Sequence, residues 1–303
     1  HESPMTSSWS RRPARHIFVG MTHSAVRARV ALPLLLASLA LAPTACAQKP
    51  AAALPITVLT PGVYLIVSPA GNLVAQTGPS GIVLVGAQSG AATPGVVAAL
   101  RTVSAVAVRY VLFAPGDSLG GQDDAGWNDR GATLVSHERM RMKAKNVTSA
   151  LGFSEVLQIY LDGESVHAVH QPPGHTRADF IAHFETKNVL YMGNAFVAHG
   201  YPHIEVHDGA SIDSLIKEIT PFADFERVQI VPGRGPVSTA KDVGDYRDML
   251  ADVRARVRTL VSQGKSLADV IAAKPTASWD ATYARGGVAP DKFVESVYLS
   301  LKH

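Results

Sequence analysis

The chain has 303 residues, with 28 Lys and Arg against 25 Asp and Glu, 12 His and a single Cys. Apolar residues make up 47% and charged residues 17%, which excludes disordered, collagen-like and disulfide-stapled classes and leaves ample material for a core. The net charge of +3 and the His count invite a basic or metal-binding reading, but neither is spread evenly along the chain.

Residues 1–20 carry Trp9, Arg11, Arg12 and Arg15 without periodicity and are set apart from the fold. From Met21 onward the pattern is that of a secretory signal. Arg27 and Arg29 precede an apolar run over 31–42, and small residues Ala45 and Ala47 follow. The run is shorter than the ~20 residues of a spanning helix. Residues 1–47 are therefore expected to be a leader cleaved after Ala47, with a periplasmic product. The alternative is acylation of Cys46, the one route by which a membrane would become a partner. The leader holds five Arg, one Glu and three His, which leaves 23 basic against 24 acidic residues and nine His beyond it. With no basic excess, nucleic acid is not an expected partner.

Residues 48–55 read as an Ala/Pro linker, and 56–303 as one domain. Short β-rich runs come first, at Ile56–Thr60, Val63–Val67, Leu73–Gln76 and Ile82–Val85, with Pro/Gly breakers between them. A helix over 94–103 begins at Pro94, followed by a buried strand, Arg109–Phe113. Residues 122–129 and 136–145 read as helical around a strand at Ala132–Val135. Further strands are expected at Val156–Leu161, Val166–Gln171, Phe180–Phe184, Val189–Met192 and Val228–Val231, with a helix at Ser211–Ile219. Thr239 and Asp242 spell a capping box for a long helix that Gly264 ends, and 266–273 and 289–302 add two more. Hairpins followed by β-α units, then the same again, predict an α+β fold. Two mixed sheets pack face to face with helices outside, an αββα sandwich with a helical C-terminal extension.

The loops that follow buried strands carry the chemistry. They are Phe113–Gly121, Pro172-Pro173-Gly174-His175-Thr176 and Val231-Pro232-Gly233-Arg234-Gly235-Pro236. Together with Gly71-Asn72-Leu73, Gly78-Pro79-Ser80-Gly81, Gly131–Glu138 and Tyr191-Met192-Gly193-Asn194, in this order and spacing, they resemble the metallo-β-lactamase fold superfamily in its exported hydrolase-like branch. The resemblance spans roughly residues 56–303. It implies a site of five loops binding one or two Zn²⁺ ions, whose bound water attacks a carbonyl or similar centre.

Carried over position by position, most ligands are missing. Asp117 keeps the first-loop Asp, Ser118 stands where the last His of that loop belongs, and Pro115 falls near the first. His175 keeps the downstream His, Asn194 replaces the bridging Asp, and Arg234 replaces a His. One His and one Asp do not close a tetrahedral zinc site, neutral oxygen donors are poor zinc ligands, and a guanidinium repels a cation. No metal and no cofactor is therefore expected, although intact members carry Zn²⁺. Asp117 and His175 are the remnant catalytic positions, Ser118, Asn194 and Arg234 are the ligand-binding candidates, and Arg234 is expected to pair with Asp117.

Two other arrangements compete with this one. His199, His203 and His207 suggest a relocated metal site, but Gly200, Pro202 and Gly209 break any helix there, and 198–208 reads better as a loop over the cleft mouth. A Ser118 nucleophile with His175 as base lacks a nucleophile elbow. The leading expectation is an exported protein that has lost most zinc ligands and acts as a pseudoenzyme or small-molecule-binding protein. The alternative is a hydrolase of lactam, ester or similar bonds working through a rebuilt mono-metal or metal-free site. A structural or assembly role would instead require an exposed apolar patch on the last helices.

Overall fold

The computed structural model describes residues 51–87, 92–115, 125–143 and 151–302. The expected leader, Cys46 and the first-loop residues Asp117 and Ser118 lie outside the described residues. The described residues all belong to one compact unit. Among the described residues no helix is long and apolar enough to cross a membrane.

The first sheet has seven strands in sequence order: β1 (Ile56–Thr60), β2 (Val63–Ser68), β3 (Gly71–Gly78), β4 (Gly81–Ala87), β5 (Val108–Phe113), β6 (Thr133–His137) and β7 (Leu151–Phe153). β1 to β4 run antiparallel through tight turns, and β4 to β7 are parallel, so the sheet is mixed. The second sheet has the order β13-β11-β10-β9-β8, built from β8 (Val156–Leu161), β9 (Glu164–His170), β10 (Phe180–Phe184), β11 (Val189–Val197) and β13 (Gln229–Arg234). β12 (Gly200–Tyr201) and β14 (Gly286–Gly287) form a small parallel pair.

The period-2 alternation of the strands sorts apolar residues into separate layers. Val83 and Val85 of β4 meet Phe180, Ala182 and Phe184 of β10 between the sheets. The intervening Ile82 and Leu84 face the other way, onto Val96, Ala99 and Leu100 of α1 (Thr93–Leu100). α2 (Ala125–Asn128) and α3 (Glu138–Lys143) follow β5 and β6. On the second sheet, Ile181, Leu190 and Met192 face a core made with α4 (Ile212–Ile219), α5 (Ala240–Ser262), α6 (Leu267–Ala272) and α8 (Pro290–Lys302). The short α7 (Asp280–Tyr283) precedes β14. The layering is αββα.

The helix starts follow their capping residues. Ser211 Oγ accepts from Ser214 N at 3.0 Å. Thr239 with Asp242, and Ser266 with Asp269, form reciprocal capping boxes.

β7, β12, β14 and α7 have no counterpart in the sequence reading, and among the elements whose bounds moved, three did so for local reasons. The helix expected over 94–103 stops at Leu100, because Thr102 and Val103 donate to Ala99 and Leu100 through tighter three-residue turns. The strand expected to end at Met192 continues to Val197, with a register shift around Gly193, whose φ is +54°. β13 also outlasts its reading and absorbs Pro232, which an edge strand tolerates because its outer side needs no N–H donor. Asn194 and Arg234 consequently sit on strands rather than in loops.

Candidate functional site

The extended ends of β11 and β13, the turn before β10 and the loop around β14 surround a cleft of about 770 Å³. Three of the five residues singled out from the sequence line it: His175, Asn194 and Arg234. The other two, Asp117 and Ser118, lie outside the described residues, and so does the expected partner of Arg234.

His175 is fully buried and is held by Asp179, four residues on. One Asp179 carboxylate oxygen accepts the backbone N–H groups of His175 at 2.6 Å and Thr176 at 2.9 Å. The other accepts the Thr176 hydroxyl at 2.8 Å and lies 3.5 Å from His175 Nδ1. The His175 carbonyl accepts from Glu205 N at 2.9 Å, which fixes the 203–208 segment against the same turn. Beneath the turn lies the Glu218 carboxyl of α4, buried and without a hydrogen-bond partner among the described residues. Burial, reinforced by the nearby Asp179 charge, pushes it well above the usual carboxylate range. A Cβ on Gly174 would come 2.2 Å from Glu218 Oε2, so only glycine lets the turn settle onto that acid.

Asn194 donates from Nδ2 to the Pro115 carbonyl at 3.0 Å. The bond ties β11 to the loop that follows β5. An Asp at this position would set a carboxylate against a carbonyl, so the amide suits its neighbour. Arg234 Nη1 donates to the Pro69 carbonyl at 3.1 Å, and its own carbonyl accepts from Ala198 N. Below it, the buried Asn72 of β3 donates to the carbonyls of Pro232 at 3.0 Å and Gly235 at 2.8 Å. One amide thus holds the whole Pro-Gly-Arg-Gly stretch. Gly233 is squeezed against Gly193 and Asn194, where a Cβ would come within 2.6 Å of backbone.

The opposite wall comes from the C-terminal extension. Gly200 and Tyr201 pair with Gly286 and Gly287, and Val288 N donates to the Tyr201 carbonyl at 3.0 Å. The Tyr201 hydroxyl donates to Asp280 Oδ1 at 2.8 Å. These contacts bring Arg285, Thr282 and Val288 onto the cleft. Sequence reasoning passed over Arg285. Its signal was the Gly286-Gly287 turn between two helical stretches, which says that the chain reverses but not what it reverses against. His199 and His203 also line the cleft, while His207 does not. His203 Nε2 lies 3.0 Å from Glu205 Oε1, and its ring centroid is 6.1 Å from that of His175.

Among the described residues, the cleft wall carries two guanidinium groups and three imidazoles, and no carboxylate. Also among the described residues, no three His, Cys, Asp or Glu side chains converge where an ion could sit. The zinc expected of an intact member of this fold does not suit these donors. Among the described residues, Arg234 brings a permanent cation, Asn194 offers only a neutral amide oxygen, and His175 is the one imidazole of the three predicted site residues that line the cleft.

No family model and no curated protein matches the chain. Solved structures do. The inverting sec-alkylsulfatase Pisa1 from a Pseudomonas species superposes with a TM-score of 0.62 at 14% identity, covering 81% of this chain and 50% of that one. The chain thus spans about half the length of that alkylsulfatase. A metallo-β-lactamase from Pontibacter korlensis matches at a TM-score of 0.58 and 16% identity, over 66% of this chain and 99% of its own. A second, from Hirschia baltica, matches at 0.53 and 18%, over 65% and 98%. Sheet order, layering and these superpositions agree: the chain is a metallo-β-lactamase-fold protein with a helical C-terminal part.

Proposed function

We propose that this is an exported pseudoenzyme or binding protein whose cleft holds an anionic small molecule rather than a zinc-activated water. The observation that supports it is the cleft wall, where Arg234 and Arg285 stand with His175, His199 and His203 and no acidic side chain among the described residues. A carboxylate or phosphate placed there meets charge-assisted donors from two independent walls. Export rests on the leader pattern alone, with a lipoprotein anchored through Cys46 as the alternative to a free periplasmic chain.

Calorimetric titration of the purified chain with inorganic phosphate tests the reading. Saturable binding is expected, weakened about tenfold or more by Arg234→Ala, since hydrogen bonds to charged groups carry about 1.5–3 kcal/mol. No binding by the wild-type chain overturns it.

A second reading, hydrolysis, is favoured by one feature. Asp179 stands at Nδ1 of His175, an arrangement that orients an imidazole as a base. Metal analysis, together with lactam and ester assays with and without Zn²⁺, separates the two. Stoichiometric zinc with chelator-sensitive hydrolysis would replace the binding reading.

A further inference from the structure

Each of the two large sheets ends in two edge strands, and an open edge offers a row of unpaired backbone N–H and C=O groups to any other strand. Three of these edges are blunted. β1 breaks register between Val58 and Thr60, and its Leu59 carbonyl accepts from Gln229 Nε2 at 2.9 Å. β7 is only three residues long. β13 carries Pro232, and Ser238 folds back to exchange both backbone hydrogen bonds with Ile230, at 2.8 and 2.9 Å. β8 has none of these devices. Val156-Leu157-Gln158-Ile159-Tyr160-Leu161 holds no charge and no proline, its pairing with β9 runs without a bulge, and among the described residues no other strand pairs with it.

Alternation fixes what this edge presents. His170 N donates to the Glu155 carbonyl at 2.8 Å, so the backbone groups of Glu155 and of every second residue after it turn toward β9. Those of Val156, Gln158 and Tyr160 turn to the open side. The side chains of these three stand on the outer face, where Val156 is 54% and Tyr160 71% exposed. On the other face Ile159 is buried, and Leu157 and Leu161 are half-buried at the rim of the core between the sheets.

The strand is therefore complementary to itself. Turned about a two-fold axis at Gln158, a second β8 sets Val156 opposite Tyr160 and Gln158 opposite its own copy, each in a position to exchange both N–H···O bonds. A β-branched residue opposite an aromatic one is a favoured cross-strand pair. On the core face the same register sets Leu157 opposite Ile159 and covers the half-buried rim. A slip of one residue would turn these aliphatic side chains toward solvent, so one register satisfies both faces. We infer that a second copy of the chain adds its β8 antiparallel to this one, in an isologous dimer whose second sheets run into each other.

Sedimentation of the purified chain across a wide concentration range tests this, together with hydrogen exchange of the β8 amides at the same concentrations. A reversible dimer is expected, with the Val156, Gln158 and Tyr160 amides gaining protection as it forms. Gln158→Pro takes away the N–H at the centre of the pairing in both copies, and an edge strand tolerates proline where its N–H faces outward. Tyr160→Lys places a charge on the open edge and leaves the backbone intact, which keeps the test alive if the proline unfolds the chain. Either variant, when folded, is expected to weaken the dimer about tenfold or more. A wild-type chain that stays monomeric overturns the inference. So does a dimer that keeps its affinity in either folded variant, or one whose formation leaves the three amides exchanging freely.

Discussion

One wall of the cleft is built from strand ends of the second sheet, and the other from residues 281–288 of the C-terminal extension. On the first, His175 is fully buried, Asp179 and Asn72 are nearly so, and glycines at 174 and 233 admit contacts that no side chain would allow. On the second, Arg285, Gly286 and Gly287 are exposed, and a two-residue strand pair does the holding. The same cleft thus takes half its charge from a rigid, over-determined surface and half from a loosely attached one. Changes to the first wall should cost stability and binding together. Changes to the second should cost binding alone.

The largest expected effect is on the rigid wall. Asn72→Leu removes both hydrogen bonds to the Pro232 and Gly235 carbonyls and strands them in a site that is 2% exposed. Each buried orphan costs about 1–3 kcal/mol, so a loss of about 3 kcal/mol is expected, with phosphate binding falling in parallel because Arg234 rides on that stretch. Denaturant unfolding and calorimetry on the same sample check it. Intact stability with lost binding would erase the distinction between the walls. Arg285→Ala is the matching variant on the loose wall. About a tenfold loss in phosphate affinity is expected, with unfolding stability changed by no more than about 0.5 kcal/mol, as for an exposed side chain.

The two walls also differ in how far the sequence discloses them. Pro173-Gly174-His175-Thr176, Asn194 and Pro232–Pro236 stand out because each follows a hydrophobic run with turn residues at fixed spacing, and the period-2 pattern that marks the strands also says which sheet carries them. What periodicity does not carry is long-range pairing. Nothing local states that Gly286 pairs with Gly200, or that Tyr201 reaches Asp280, 79 residues away. Asn72 was visible only as part of a motif, since its partners lie 160 and 163 residues downstream. Strand ends fail for a smaller reason. Gly193 and Pro232 read as breakers, yet a bulge and an edge position absorb them.

Glu218 gives a sharper probe of the rigid wall. Its folded-state pKa is raised above the ordinary 4.5 by burial and by Asp179. Below pH 4.5 both folded and unfolded chains hold the proton, and nothing is lost. As pH rises the unfolded chain releases its proton first, so stability falls from there toward the folded pKa. Glu218→Gln keeps the shape and removes the titration. Its melting temperature is expected to exceed that of the wild type at pH 8, with the gap closing toward pH 4.5. A gap that does not depend on pH would mean that the acid finds a partner when it ionises.

The smallest expected effect lies between the sheets, away from both walls. His137 at the end of β6 stacks on His170 at the end of β9, with centroids 4.1 Å apart and planes 15° from parallel. Its Nε2 donates to the Ser154 carbonyl at 2.8 Å and its Nδ1 accepts from Arg139 N at 3.3 Å, which defines a neutral ring with no acceptor left to protonate cheaply. Burial lowers its pKa below the ordinary 6.5, with His170 adding to the shift and the Ser154 bond opposing it. The sign is opposite to that of Glu218. Stability is fully present above pH 6.5 and is lost as pH falls, because the unfolded chain takes up the proton first. His183 is lowered by burial in the same way, so the wild-type curve sums both rings against Glu218. The difference between His137→Gln and wild type isolates one ring. It should shrink steadily from pH 8 to pH 5 as the wild type loses its advantage, while phosphate affinity in the cleft stays where it was. A binding change that followed this ring would show that the inter-sheet contact and the rigid wall move together.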